Sequence, residues 1–155
     1  MSTEDNKAVA RNLFEEVFNK GNVAAVDELI APNPVLHFES PINIPVPSEF
    51  QLSREEIKQV VSQIRTTFPD LHYTIELQVA EGDMVVTRAT ARGTHTGEYR
   101  GTTYKGIPPT GKLVTWTETQ IFRFVDGKIV EQLSNEDDLG RLQQVGALPT
   151  HGQAG

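Results

Sequence analysis

Leu71-His-Tyr-Thr-Ile-Glu-Leu-Gln-Val79, followed by Ala80-Glu-Gly-Asp-Met84, is where the chain changes its hydrophobic period. Upstream, apolar residues recur every three or four positions. Here Leu71, Tyr73, Ile75, Leu77 and Val79 alternate with His72, Thr74, Glu76 and Gln78, the pattern of a strand with one buried face. Glu81-Gly82-Asp83 supplies a hairpin turn, so the spacing predicts a returning strand over Met84 to Thr96. On that strand Val85, Thr87, Ala89, Ala91, Gly93 and His95 share one face, and small residues leading to a histidine leave room for a ligand.

Downstream, Leu113 to Phe124 and Lys128 to Leu133 read as a second hairpin about Asp126-Gly127. Trp116, Glu118, Gln120 and Phe122 fall on one face of its first strand, and Asp138 to Val145 reads as a closing helical turn. Gly93, Gly97, Gly101 and Gly106 form no phosphate loop, because no Gly-Lys-Ser/Thr opens a helix beside them; they are expected to let the sheet bend.

Upstream, Ser2 or Thr3 can cap a helix that carries Val9, Leu13 and Val17 at i, i+4 and i+8 beside Ala10, Phe14 and Phe18. Asn19-Lys-Gly-Asn22 ends it, Val23 to Ile30 forms a short second helix with Asn22 able to cap it, and Pro32 and Pro34 stop that helix. A short strand is expected over Val35 to Glu39. Pro41, Pro45 and Pro47 make Ser40 to Leu52 an extended loop, and its apolar residues Ile42, Ile44, Val46 and Phe50 suit a lid or an interface. Ser53-Arg-Glu-Glu56 is a capping box that opens a third helix through Ile57, Val60, Val61, Ile64 and Phe68. The sum is an α+β chain, with three N-terminal helices packed against one face of a curved, mostly antiparallel sheet. At 155 residues it is expected to form one domain over 1–148, with 149–155 as a flexible tail.

A net charge of -7 with scattered Lys and Arg gives no electrostatic footprint for nucleic acid or an anionic membrane, so neither is expected as a partner. Cysteine is absent, which excludes disulfides, thiolate metal sites and cysteine nucleophiles. The polar, acidic start and the lack of a long apolar run point to a soluble, cytoplasmic protein. No histidine pair has metal-ligand spacing and no nucleophile elbow is present. Acid/base chemistry without metal or cofactor is what these exclusions leave.

Phe14 and Phe18, Phe68-Pro-Asp70, Gly93-Thr-His-Thr-Gly97, Pro109-Thr-Gly-Lys112, Phe124-Val-Asp-Gly-Lys-Ile-Val-Glu131 and Asp137-Asp-Leu-Gly-Arg-Leu-Gln-Gln-Val-Gly146 together resemble the SnoaL-like polyketide cyclase (ester cyclase) branch of the NTF2-like superfamily. The resemblance implies a cone-shaped α+β barrel with one deep apolar pocket, a homodimer paired across the sheets, and no cofactor. It also implies an aspartate acting as general acid/base in an intramolecular aldol closure. By that resemblance the aspartate is Asp137 and the pocket histidine is His95. Leu133 stands where the family often has an aromatic residue, and the Ile42 to Leu52 loop is longer than usual, so the substrate is left open.

Asp137 would then take the acidic proton between two carbonyls and return it to the new alkoxide; the competing reading is a helix cap, a role expected instead of Asp138. His95 would orient or stabilise oxyanion character, or else be a pocket histidine bound to a backbone carbonyl. His37 is a candidate for the same cavity, whereas His72 falls on the polar face and His151 in the tail. Trp116, Glu118 and Gln120 are candidate substrate-binding residues, with a dimer interface or solvent-facing sheet as the alternative for Glu118. The expected partner is a small apolar or aromatic carbonyl-containing molecule. The expected function is a lyase or isomerase of the cyclase type; a non-catalytic binding or dimerisation module, and a dehydratase, hydratase or epoxide hydrolase, stand as alternatives.

Overall fold

A computed structural model describes residues 1–39, 49–100 and 105–150. The chain begins with α1 (Thr3–Asn12), opened by a capping box in which Ser2 and Asp5 exchange side-chain and backbone hydrogen bonds. The helix then widens into a π-helical segment, Leu13–Asn19, that buries Leu13, Phe14 and Val17. A single 3₁₀ turn (Val23–Ala25) and a four-residue α2 (Val26–Leu29) replace the longer second helix, and Asn22 makes no side-chain cap.

The strand β1 spans Ile30–Glu39 rather than starting at Val35. The two prolines end the helix as expected, but the extended chain absorbs them through a left-handed Asn33 (φ 53°) and a break in register between Ile30 and Val35. Most of the expected Ser40 to Leu52 loop, including Ile42, Ile44 and Val46, lies outside the described residues; its end forms a short strand, β2 (Glu49–Gln51), antiparallel to β1. Next, α3 (Arg54–Thr67) follows the predicted Ser53/Glu56 capping box. The remaining elements are β3 (His72–Glu81), β4 (Met84–Thr94), β5 (Tyr99–Arg100), β6 (Lys105–Ile107), β7 (Leu113–Val125), β8 (Lys128–Glu136) and α4 (Asp138–Gln144).

The main sheet has the order β2-β1-β8-β7-β4-β3, antiparallel except for the β1–β8 pair. The β7–β8 turn places Asp126 (φ 51°) and Gly127 (φ 75°) both in the left-handed region, the geometry an Asp-Gly hairpin turn requires. One predicted alternation fails halfway. Ile75 pairs with Ala89 but Leu77 with Arg88, so Glu76 is an extra residue in β3. The bulge reverses the facing of everything after it: Leu77 and Val79 are exposed at 52% and 55%, and Gln78 turns inward to bond Thr87.

The helices cover one face of the sheet. Phe14, Phe122, Val61, Phe68, Leu71, Trp116 and Ile129 form a single core with α4's Leu142. Gly93 and Gly97 serve this packing rather than a bend. A Cβ at Gly93 would lie 2.6 Å from Phe68 Cβ, and one at Gly97 would overlap the Thr66 carbonyl, so both glycines admit the end of α3.

Candidate active site

The inner face of the sheet carries the site. Along β7 the buried positions alternate as Val114, Trp116, Glu118, Gln120, Phe122 and Phe124, so two polar residues stand in an otherwise apolar row. Across β8, Glu136 pairs with Glu118, Ser134 with Gln120 and Gln132 with Phe122. Strand pleating puts these three cross-strand pairs on the floor of one cavity of about 380 Å³. Its walls are apolar: Phe14 and Phe18 from the π-helical segment, Leu36 and Phe38 from β1, and Ile57, Ile64 and Phe68 from the α3 region. A volume of this size suits a small organic molecule of a few fused rings.

Glu118 is 2% exposed. Its Oε1 accepts hydrogen bonds from Tyr73 Oη and Trp116 Nε1, both at 2.8 Å, and its Oε2 accepts from Gln120 Nε2 at 3.0 Å. Burial, and next the charge of Glu136 opposite, push its pKa from 4.5 up to about 7; the Trp116 and Tyr73 bonds and Arg141 pull the other way without cancelling them. Burial and the Glu118 charge also hold the Tyr73 phenol well above its usual pKa, so it stays a donor. The result is a carboxyl group able to exist in either protonation state near neutrality, beside an apolar cavity.

Arg141 reaches the same floor from α4. Its Nη2 lies 3.0 Å from Glu136 Oε2 and also pairs with Asp138, and its guanidinium stacks 5.0 Å over the Trp116 ring. Burial opposes its charge, but Glu136, Tyr99, Asp138 and Glu118 outweigh that and keep it cationic. Among the described residues its buried Nε has no hydrogen-bond partner. Tyr99, which also borders the cavity, has its phenol pushed up to about 12 by burial.

The residues expected from the sequence are distributed differently. Asp137 is exposed and is the N-cap of α4, its Oδ1 accepting from Gly140 N at 2.9 Å; it does not border the cavity. The cap role expected of Asp138 therefore belongs to Asp137, and Asp138 is the buried partner of Arg141. His95 is fully buried behind Phe68 and Tyr99, with ring centroids at 5.9 and 6.0 Å, and bonds Thr110 Oγ1 through Nδ1 at 3.0 Å. It too lies off the cavity surface, and burial lowers its pKa.

His37 faces the opposite side of the sheet, because Leu36 and Phe38 take the inward positions of β1; its ring nitrogens lie 3.0 Å from Glu131 and 3.6 Å from Glu49. Trp116 is buried under Phe68, Tyr73 and Arg141 and reaches the cavity through its bond to Glu118 and its stack with Arg141. Glu118 and Gln120 do border the cavity, so the solvent-facing or interface reading of Glu118 is set aside.

Sequence reasoning missed Tyr73, Gln132, Ser134, Glu136 and Arg141 as site residues. The end of β8 held the hidden signal: extending the predicted strand from Leu133 to Glu136 keeps Gln132, Ser134 and Glu136 in phase with the paired Phe122, Gln120 and Glu118. Arg141 carried no such signal, since its place depends on how α4 folds back onto β7.

A short helix-covered cone with an apolar cavity and a polar floor defines the architectural class. The chain belongs to the SnoaL-like polyketide cyclase family, whose profile matches residues 8–145. It is 28% identical over 130 residues to the nogalonic acid methyl ester cyclase of Streptomyces nogalater, spanning 83% of this chain and 89% of that protein. Among solved structures it is similar to AclR of Streptomyces galilaeus, taken to be a hydroxylase (TM-score 0.78, 26% identity, 98% of this chain and 87% of that one). It is also similar to IdmH of Streptomyces antibioticus, taken to be a polyketide cyclase (TM-score 0.73, 32% identity, 91% and 98%). Among the described residues no helix is long and apolar enough to cross a membrane.

Proposed function

We propose that this chain is a cyclase-type enzyme acting on a small carbonyl-rich, polyketide-like substrate, with Glu118 rather than Asp137 as the acid/base group. The observation that carries this is a buried carboxyl on the floor of an apolar cavity, held by Tyr73, Trp116 and Gln120. An ionised Glu118 takes the proton from a carbon flanked by two carbonyls. The enolate carbon then attacks a second carbonyl of the same molecule, forming a carbon–carbon bond and an alkoxide. The protonated Glu118 returns its proton to that oxygen, so the carboxylate is regenerated and no other reagent is consumed. A pKa near neutrality serves both directions of this transfer. Arg141, cationic on the same floor, favours the charge that develops on the enolate and alkoxide oxygens.

The test follows hydrogen–deuterium exchange at the carbon between the carbonyls of ethyl benzoylacetate in heavy water. The protein should accelerate it, and Glu118→Gln should abolish the acceleration while ligand still quenches the single tryptophan, Trp116. Binding without any acceleration by the unaltered protein would favour a non-catalytic binding module.

The homodimer implied by the resemblance we read onto the outer face of the sheet, where the β3 bulge exposes Leu77 and Val79. Paired Leu77→Lys and Val79→Lys substitutions should halve the mass measured by light scattering; an unchanged mass would place the contact elsewhere.

A further inference from the structure

Beside Glu118 the cavity floor carries a second polar group whose hydrogen bonds all run one way. An ionised carboxylate only accepts, so Gln120 must turn its amide nitrogen toward Glu118, as it does at 3.0 Å. That fixes Gln120 Oε1 toward β8, where it accepts from Gln132 Nε2 at 2.8 Å and from Ser134 Oγ at 2.5 Å. Gln132 Nε2 also donates to Ser134 Oγ at 3.1 Å. The amide orientations are thus set in sequence by the carboxylate and are not an arbitrary choice between nitrogen and oxygen.

The amide nitrogen of Gln132 and the single hydroxyl proton of Ser134 are both turned into the cluster. Both residues border the cavity, and what they can still offer a ligand is acceptor oxygen: Gln132 Oε1 and a lone pair of Ser134 Oγ. Gln120 retains one N–H beside them. A hydroxyl is the group that donates its one proton to either of the first two and accepts from the third. A carbonyl or an ether oxygen finds two acceptors facing it and leaves them unpaired. The walls near this row are Phe14, Phe38 and Phe122, which can satisfy none of these polar atoms.

We propose that Gln132 and Ser134 form a hydroxyl-recognising subsite, so that the substrate carries a phenolic or enolic hydroxyl set apart from its reacting carbon. This rests on reading the cavity as the substrate site. The register gives the separation: Ser134 lies one inward step along the strands from the Glu118–Glu136 pair and Gln132 lies two. At about 3.4 Å per residue these steps span roughly 7 to 14 Å, one to three fused rings from the carbon that Glu118 faces. The subsite thereby fixes which way round a flat molecule enters.

The experiment is equilibrium binding, read by quenching of Trp116 and independent of any turnover. The probes are 2,6-dihydroxynaphthalene and its dimethyl ether, at a pH of about 8, where Glu118 is ionised. The unaltered protein should bind the diol at least about tenfold more tightly than the ether, the worth of one well-made hydrogen bond to a buried acceptor. Gln132→Met, and separately Ser134→Ala, should reduce that preference to about threefold or less while the ether binds as before; retained ether binding reports an intact fold. Equal affinities in the unaltered protein, or a preference undiminished in both variants, would overturn the proposal. Glu118 could fail as the acid/base group, by the exchange assay above, without altering this preference.

Discussion

Removing the Glu118 carboxyl should alter stability in a way that depends on pH, with a size set by the groups around it. An acid whose pKa is raised by folding holds its proton more tightly in the folded state. Its contribution is therefore complete below the unfolded value and is lost as pH rises through the folded one. For Glu118 the window runs from 4.5 to about 7. At about 1.4 kcal/mol per pH unit, the gap sets an upper bound of roughly 3 kcal/mol. Glu136 sits directly across the ladder and Arg141 beside it, and opposing charges in a partly polar site lower the figure toward ~2 kcal/mol.

Glu118→Gln removes the titration and keeps the shape. Urea denaturation of both proteins across this range should show the variant gaining about 2 kcal/mol relative to the parent between pH 4.5 and about 8, then holding level. His95, its pKa lowered by burial, is common to both proteins and cancels in the difference. A flat difference across the window would mean that Glu118 has the same proton affinity folded and unfolded, and the raised pKa would have to be abandoned.

Glu136→Gln removes the charge facing Glu118 and should move the acidic midpoint of the exchange rate below about 7, by on the order of one pH unit; Arg141→Met removes a charge that favours ionised Glu118 and should move it upward. The pH–rate profile reads both, and shifts in the same direction would contradict the arrangement. Gly97→Ala drives a methyl into the Thr66 carbonyl and should destabilise the fold by about 1–3 kcal/mol in denaturant titration, whereas Gly82→Ala, which meets no neighbour and suffers only from its positive φ, should cost less. Trp116→Phe takes one of the two donors from Glu118 Oε1 and should raise the same pH–rate midpoint; no change would remove Trp116 from the set that tunes the carboxyl.

The architecture was legible because its signals are local. The cap at Ser2, the capping box at Ser53 and the hairpin turn at Asp126-Gly127 are short-range devices, and each lies at a position the residues allow or predict. The β3 bulge was not legible, since one extra residue at Glu76 leaves the apolar alternation of the sequence intact while reversing its facing. At the site, the alternation of β7 revealed that Glu118 and Gln120 share a face with Phe122, but not that this face is buried. The charge of Glu118 left solvent or an interface open beside the pocket, and only the covering by the π-helical segment and α3 makes the face a floor.

Asp137 drew attention through its motif, yet the same Asp-Asp-Leu-Gly run is also what a capped helix needs: an oxygen at the cap and a residue without Cβ at Gly140, where a methyl group would strike the Asp137 carboxylate. The spacing that resembles a catalytic motif is here accounted for by a helix terminus. His37 illustrates the remaining gap: its facing is decided by the phase of β1, which the proline-interrupted start of that strand conceals.

The most direct measurement is a paired one, comparing Glu118→Gln with Asp137→Asn in the deuterium-exchange assay with ethyl benzoylacetate, both at equal probe occupancy judged by Trp116 quenching. Glu118→Gln should lose at least about a hundredfold in the catalysed rate, the usual worth of a positioned acid/base group, while Asp137→Asn stays within about twofold of the parent. Loss of exchange in Asp137→Asn with Glu118→Gln unaffected would contradict the assignment and return the proton to the capping aspartate.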